Sequence, residues 1–179
     1  MSPSRGALAG LIFSGLLAGL LQVGCGATSG TFEDGVYRHG TVAFRVGALP
    51  GWEQVEVRGN DLAFYREDLG AIIAANGDCD PRKDPALRTL AMQSLIGFTD
   101  RDIRLEEVVP MDGREAMHMI VHAKIDGVAR AISLYVLKKD ECLYDFTYVA
   151  PPERHDHAVG EFERFVAGFH ALGDGIPDP

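Results

Sequence analysis

The dipeptide Asp126-Gly127 separates two runs of alternating apolar and polar residues, and it constrains the fold more than any other feature of the chain. Both central positions of a type I′ turn need positive φ, which Asp and Gly tolerate well. The dipeptide therefore predicts a two-residue hairpin flanked by Ile125 and Val128. Because successive side chains of a strand point to opposite faces, this register also decides which residues share a face.

Strand-like alternation recurs along most of the chain. It predicts a first meander within residues 40–68 and four strands at 103–111, 114–125, 128–139 and 142–150. The continuous apolar run at 69–77 predicts a central strand buried on both faces, with a helix as the alternative. A short amphipathic helix is predicted after the N-cap Asp84, and a long terminal helix from about Glu153 to Leu172, capped by Gly173. This order predicts an α+β fold with an antiparallel sheet of about six to seven strands flanked by helices.

Residues 1–24 resemble an export signal rather than a membrane-spanning helix. Their one charged residue, Arg5, precedes a run of uncharged residues rich in Leu, Ala and Gly. A spanning helix needs about 20 apolar residues, and this run is shorter and lacks a positively charged flank at its end. We expect residues 1–24 to be removed on export.

The sequence Leu21-Gln22-Val23-Gly24-Cys25 resembles the cleavage site of bacterial lipoprotein signals, although Gln22 stands where that family prefers Leu. The resemblance implies that Cys25 becomes the first residue and carries acyl chains such as palmitate, with residues 25–34 as a flexible tether. Two or three acyl chains give stable membrane anchoring. In lipoproteins of this kind, Asp directly after the lipidated cysteine causes retention at the inner membrane. The resemblance therefore implies that Gly26 at this position directs the protein to the outer membrane. Cleavage by an ordinary signal peptidase, which would leave a soluble secreted protein, is the alternative.

The charge balance argues against nucleic-acid binding. The chain carries a net charge of −9, and removal of residues 1–24 deletes only Arg5, which makes it −10. Phosphate binding needs clustered Lys and Arg, and anionic lipid surfaces repel an acidic protein. The lipid would therefore hold the protein at a membrane. Residues 35–172 are predicted to form a single domain, followed by a polar tail at 173–179.

Cys79 and Cys142 remain after processing, and an even pair in an exported chain suggests a disulfide. Two buried free thiols are the alternative.

No catalytic or metal-binding set is evident, so we expect no cofactor and no metal ion. His118 and His122 lie on a predicted strand, where four residues span about 13 Å, too far for one metal ion. A hydrolase could be imagined from Cys142, Asp145 and a histidine, but no family signature surrounds Cys142.

Tyr144, Phe146 and Tyr148 are the candidate binding residues, because they share one face of the last predicted strand. They form core if the terminal helix covers that face. If the helix covers the opposite face, they line an open groove for a partner or a small apolar ligand.

Four segments together resemble the PsbP-like α/β/α sandwich: LPGW, MDGREA, CLYDFTYVAPP and FERFVAGF, within residues 35–172. That superfamily includes the extrinsic photosystem protein P, a Ran-binding nuclear import factor and many bacterial lipoproteins. The resemblance implies a binding or assembly module and transfers no catalytic residues. We therefore expect a non-enzymatic, membrane-tethered envelope module with a protein partner. The alternatives are a periplasmic carrier of a small apolar ligand and an unrecognised hydrolase.

Overall fold

The computed structural model describes residues 30–80 and 85–173. In chain order the strands are β1 (Thr31–Glu33), β2 (Val36–His39), β3 (Val42–Arg45), β4 (Glu53–Val55), β5 (Leu62–Arg66), β6 (Ala71–Asp78), β7 (Thr99–Met111), β8 (Arg114–Ile125), β9 (Val128–Lys139), β10 (Cys142–Ala150) and β11 (His170–Ala171). The helices are α1 (Leu87–Ser94) and α2 (His155–Ala167), and a 3-10 turn at Pro152–Arg154 precedes α2. No helix of these residues is long and apolar enough to cross a membrane.

The strands form two antiparallel sheets, which confirms the predicted α+β class. The larger sheet has seven strands in the order β4-β5-β6-β10-β9-β8-β7, and the smaller has four in the order β1-β2-β3-β11. The sequential part of the larger sheet, β7 to β10, is the predicted four-strand meander. Its three two-residue turns all have positive φ, at Asp112-Gly113, Asp126-Gly127 and Asp140-Glu141. Ile125 pairs with Val128, as the Asp126-Gly127 dipeptide predicts.

Helix α1 covers one face of the meander. Leu90 and, just after the helix, Leu95 bury their side chains against β8 and β9, where they meet residues such as Met119 and Leu134. The structure places Ala86 at the helix N-cap position, and the predicted cap Asp84 lies outside the described residues.

Helix α2 and the four-stranded sheet together cover the opposite face. Phe162 and Phe165 of α2 are fully buried, as is Phe44 of β3. The main core lies between these elements and the larger sheet. The molecule therefore has helices on both sides of the larger sheet, with the small sheet beside α2.

The long terminal helix ends earlier than predicted. It stops at Ala167, and β11 then pairs with β3, so Leu172 lies outside the helix and Gly173 does not cap it. Directly after α2, Gly168 packs against the chain that follows β3. Only glycine fits there, because a Cβ added to Gly168 would lie 2.5 Å from the Gly47 nitrogen. The chain turns there and carries Phe169 into the core.

Two further N-terminal predictions are corrected. Residues Thr31–Glu33 of the predicted tether pair with β2 as a strand, so they belong to the folded domain. The predicted first meander is divided between the sheets, because β3 joins the small sheet while β4 and β5 join the large one. Residues 1–29 and 174–179, which include the predicted signal and most of the polar tail, lie outside the described residues.

Candidate functional site

The predicted disulfide is present between Cys79, directly after β6, and Cys142, the first residue of β10. Strands β6 and β10 are neighbours, so sheet pairing brings the two Cα atoms to 4.0 Å. The cross-link closes a loop across 63 sequence positions, which the chain-entropy model values at roughly 4 kcal/mol. Because Cys142 is bonded to Cys79, it has no free thiolate and cannot be the nucleophile of a hydrolase. The lipidation predicted at Cys25 concerns a residue outside the described part of the chain.

Tyr144, Phe146 and Tyr148 are buried beneath α2 and the small sheet rather than exposed along an open face, so the binding role predicted for them is corrected. Their exposed fractions are 2%, 0% and 0%. Helix α2 and the small sheet cover the very face of β10 that carries them. The rings of Phe44, Phe165 and Phe169 pack against Phe146 within 6.4 Å between centroids. The three candidates are therefore the centre of the core.

The larger sheet continues past this core, and its β7–β8 side carries a row of chemically different side chains. Glu107, His118 and Tyr135 are cross-strand neighbours on β7, β8 and β9. The His118 ring stacks on the Tyr135 ring with centroids 4.1 Å apart and planes 5° from parallel. His118 Nδ1 lies 3.1 Å from a Glu107 carboxylate oxygen. The stack and this contact fix the orientation of a histidine that is 8% exposed.

A groove lies over this row, between the C-terminal half of α2 and the end of the β7–β8 hairpin, and we call it the α2–β7 groove. It has a volume of about 530 Å³, within the range of sites that hold drug-sized ligands. Its lining residues are Glu107, Val109, Pro110, Met111, Asp112, His118, Tyr135, Glu163, Val166, Ala167 and Phe169. These residues include three carboxylates and no Lys or Arg, so the groove combines apolar walls with acidic groups.

The electrostatics of Tyr135 reflect this environment. Burial, followed by the negative charges of Glu163 and Glu107, raises the pKa of Tyr135 to about 12. The hydroxyl therefore stays protonated at physiological pH and can donate a hydrogen bond. Within the described residues, Glu163 makes no hydrogen bond or ion pair.

Asp112 anchors one end of the groove. Its Oδ2 accepts hydrogen bonds from Lys139 Nζ at 2.7 Å and from the Ala171 N–H at 2.9 Å, and Oδ1 lies 3.0 Å from His170 Nδ1. Burial alone would raise the pKa of Asp112, but these hydrogen bonds outweigh it and hold the pKa below its usual range. Asp112 thus ties the β7–β8 turn to β9 and β11.

The N-terminal half of α2 is fixed by a different carboxylate. Trp52 Nε1 donates to Glu161 at 2.7 Å, and Arg66 Nη1 donates to both Glu161 oxygens at 2.9 and 3.1 Å. The Trp52 hydrogen bond and the Arg66 contacts lower the pKa of Glu161. Every oxygen of this carboxylate is occupied, so it serves packing rather than ligand binding.

Ser133, His155 and Asp156 form the one arrangement that resembles a Ser-His-Asp triad among the described residues. Ser133 Oγ lies 2.9 Å from His155 Nε2, and His155 Nδ1 lies 3.2 Å from Asp156 Oδ1. Ser133 is only 1% exposed, however, so no substrate carbonyl can approach its hydroxyl. The Asp156 side chain is 97% exposed and belongs to the residue next to the histidine. The contacts satisfy buried polar atoms at the start of α2.

Asp145 lies on the opposite face of β10 from Tyr144 and Phe146. Burial, with a smaller contribution from the negative charge of Asp61, raises the pKa of Asp145 to about 6. A hydrogen bond from Asn76 Nδ2 opposes this rise. Asn76 Oδ1 accepts from the Asp61 N–H in turn. This network joins the residue before β5 to β6 and β10 and brings Asp145 neither a histidine nor a nucleophile.

No group of three or more His, Cys, Asp or Glu residues in the described ranges is placed to hold a metal ion. His118 and His122 share a face of β8, as predicted, while the alternate residues Met117 and Met119 lie in the core beneath α1.

No family model and no curated protein matches the chain. Solved structures do match. The solution structure of cyanobacterial PsbP (CyanoP) from Synechocystis sp. PCC 6803 is 16% identical, with 83% of this chain and 96% of that chain covered and a TM-score of 0.52. The fold is PsbP-like.

Two further structures share the PsbP-like architecture. LpqN of Mycobacterium tuberculosis, which is described as involved in cell envelope biogenesis, is 9% identical over 72% of this chain and 83% of that chain, with a TM-score of 0.52. A protein from Bacteroides thetaiotaomicron VPI-5482 is 14% identical over 76% of this chain and 47% of that chain, with a TM-score of 0.53. At these identities the likeness concerns the fold alone.

The residues of the α2–β7 groove were not predicted as a site, although the turns contain a signal for part of it. Two-residue turns at Asp112-Gly113 and Asp126-Gly127 fix the register of β7, β8 and β9, and that register places Glu107, His118 and Tyr135 in one row. Nothing local in the sequence brings Glu163 of α2 to this row.

Proposed function

We propose that the chain is an exported lipoprotein, anchored by acyl chains on Cys25, whose PsbP-like domain binds a protein partner in the envelope and catalyses no reaction. One observation carries this proposal. The disulfide uses two of the three cysteines, so Cys25 is the one left for lipid attachment at the signal-like segment. Disulfides persist in oxidising compartments outside the cytoplasm, which supports export.

The α2–β7 groove supports the binding role. Aromatic, apolar and acidic side chains converge there beside the core. The triad-like set around Ser133 is closed to substrates, which supports a role without catalysis. The likeness to LpqN supports a place in the envelope.

The anchor is tested with a Cys25→Ser variant. We expect the wild-type chain to fractionate with membranes and to carry the mass of added acyl chains, and Cys25→Ser to lose both properties. A Cys79→Ser/Cys142→Ser double variant is the matched control, because it removes two cysteines but keeps the lipidation site. Membrane association and an unchanged mass shift in Cys25→Ser would contradict the lipoprotein assignment.

The binding role is tested by photo-crosslinking in intact cells. A photoreactive residue at Val109, in the groove, should form a discrete cross-link to an envelope protein. The same residue at Tyr65, which is exposed on the opposite face of the sheet, should not. Equal products from both positions, or none from Val109, would contradict a partner at the groove.

A carrier of a small ligand is the second candidate, and the volume of the groove favours it. The carboxylate of Glu163, which has no partner among the described residues, makes a purely apolar ligand a poor fit, since burying an unpaired carboxylate is costly. Native mass spectrometry of the purified protein would reveal a co-purifying small molecule, which the protein-partner proposal does not expect.

A further inference from the structure

Strand β7 ends the larger sheet, so one side of its backbone faces away from β8. Met111 and Arg114 flank a two-residue turn, and such a flanking pair exchanges hydrogen bonds across the hairpin. Backbone groups alternate in direction along a strand, so the N–H and C=O groups of Glu106 and Val108 point outward. Pro110 also falls on this outward side, where it has no N–H to leave unpaired. This part of β7 is a regular edge onto which another strand can be added.

The α2–β7 groove begins at the same edge. Glu107 and Val109 alternate along β7 with Glu106 and Val108, whose backbone groups point outward. The side chains of Glu107 and Val109 point to the face of the sheet that carries α2. Glu163 reaches the groove from the helix. A strand added beside β7 would lie about 4.8 Å away, and its alternate side chains would stand directly beside Glu107.

The charges at this edge disfavour a second copy of the chain. In the registers that place Glu106 or Glu107 opposite its own counterpart, two paired β7 edges would bring like charges opposite each other, which destabilises a sheet. Arg88 Nε contacts Glu106 at 2.7 Å, which leaves Glu107 and Glu163 as acidic groups beside the groove. A segment with basic side chains is complementary to them.

We propose that the β7 edge and the α2–β7 groove bind an extended, basic segment of a protein partner by strand addition. The partner backbone pairs with Glu106 and Val108. Its alternate Lys or Arg side chains lie on the α2 face, beside Glu107 and toward Glu163, and apolar side chains between them meet Val108 on the other face. The inference rests on the proposed partner-binding function and names the chemistry of the partner.

The charge requirement is tested by fluorescence anisotropy with the complete mature chain in detergent micelles. The probe is a dye-labelled ten-residue peptide of alternating Val and Lys, compared with a Val and Glu peptide. We expect only the Lys peptide to bind, with an affinity that falls as salt is raised. Glu107→Gln/Glu163→Gln should raise its Kd by about tenfold or more. The control Glu53→Gln/Glu56→Gln removes two exposed carboxylates at the opposite side of the sheet and should leave the Kd unchanged.

Strand addition is tested separately with Val108→Pro, which removes an outward N–H and keeps both groove carboxylates. We expect a loss of Lys-peptide binding of about tenfold or more. Hydrogen exchange of the wild-type chain gives a second measurement that does not depend on the folding of this variant: the amides of Glu106 and Val108 should gain protection when the peptide binds.

Several results would overturn the inference: equal binding of the Lys and Glu peptides, unchanged exchange at Glu106 and Val108, competition by lysine amide as strong as by the peptide, or dimerisation of the chain in sedimentation. If no basic peptide binds while the Val109 cross-linker still captures an envelope protein, this inference fails and the proposed function stands.

Discussion

The face of the larger sheet beneath α2 has two halves that differ in how they are covered. Over β5, β6 and β10, the closed half, the small sheet and α2 bury the aromatic residues of this face to an exposed fraction of 7% or less. Over β7 and β8, the open half, the cover stops and the α2–β7 groove begins. Helix α2 shows the contrast within two residues: Glu161 is held by Trp52 and Arg66, while Glu163 lies in the groove wall. The same sheet thus uses one half for stability and leaves the other for recognition.

The largest expected difference between the halves is in the cost of removing an aromatic ring. Phe146 and Tyr135 are cross-strand partners on the same face, one in the closed half and one beside the groove. Phe146→Ala should lower the free energy of unfolding by about 3–5 kcal/mol, because it leaves a cavity in a close-packed core. Tyr135→Ala should cost about half as much or less, since its ring borders an open groove. Urea unfolding measures both, and equal losses would contradict the division of this face.

The second prediction concerns the contact between the end of α2 and the chain that follows β3. Gly168→Ala should destabilise the domain by about 1–3 kcal/mol, because the new methyl group would lie 2.5 Å from the Gly47 backbone nitrogen. Gly160→Ala is the matched control on α2: its new methyl group would come no closer than 3.7 Å to Arg164, and Ala is the better helix former by about 1 kcal/mol. Thermal unfolding should move in opposite directions for the two variants.

A third prediction concerns Asp112, which connects the open half to the small sheet. Asp112→Asn should cost about 2 kcal/mol near pH 7, because the Oδ2 atom that accepts from Lys139 and the Ala171 N–H loses its charge, so the charge-assisted hydrogen bond from Lys139 becomes a weaker neutral one. The pKa of Asp112 is lowered in the folded protein, so its contribution is present above the ordinary Asp pKa of about 3.9 and is lost as pH falls through the lower folded value. The difference between wild type and variant should therefore shrink below about pH 4.

Asp140→Asn provides the control for this experiment. Asp140 has φ 52°, close to the 47° of Asp112, and also begins a two-residue turn. Its side chain is exposed, so the substitution should change stability by less than about 0.5 kcal/mol at either pH. A pH-independent loss in Asp112→Asn would show that backbone conformation, rather than the carboxylate, is responsible.

The strands of the β7–β10 meander and their register were predictable from the sequence, whereas the way α2 and the small sheet cover one face of it was not. Alternation and the Asp-Gly turns gave the meander and its register, because these signals are local. These signals do not determine which face α2 covers, so the sequence alone allows Phe146 and its neighbours to form either core or the lining of a groove. The path after Gly168 was missed because a non-local approach to Gly47 ends the helix, whereas the apolar spacing continues through Phe169. Glu163 joins Glu107 through tertiary packing, which has no sequence signature.

The smallest stability effects are expected from the two glutamates of α2, and they test the contrast most directly. Glu161→Gln should cost about 1 kcal/mol, because the carboxylate that accepts hydrogen bonds from Trp52 and Arg66 becomes neutral while remaining partly solvent-exposed. Its pKa is lowered in the folded state, so this cost should disappear as pH falls below about 4.

Glu163→Gln should leave the unfolding free energy within about 0.5 kcal/mol of wild type, since Glu163 has no hydrogen bond or ion pair with the described residues. Urea unfolding of both variants at pH 7 and pH 3.5, beside peptide binding at pH 7, separates the roles. Stability should respond to Glu161 and binding to Glu163, because only the second carboxylate lies in the groove. A stability loss in Glu163→Gln as large as in Glu161→Gln would mean that the groove wall is part of the structural framework. The open half would then differ from the closed half in shape alone.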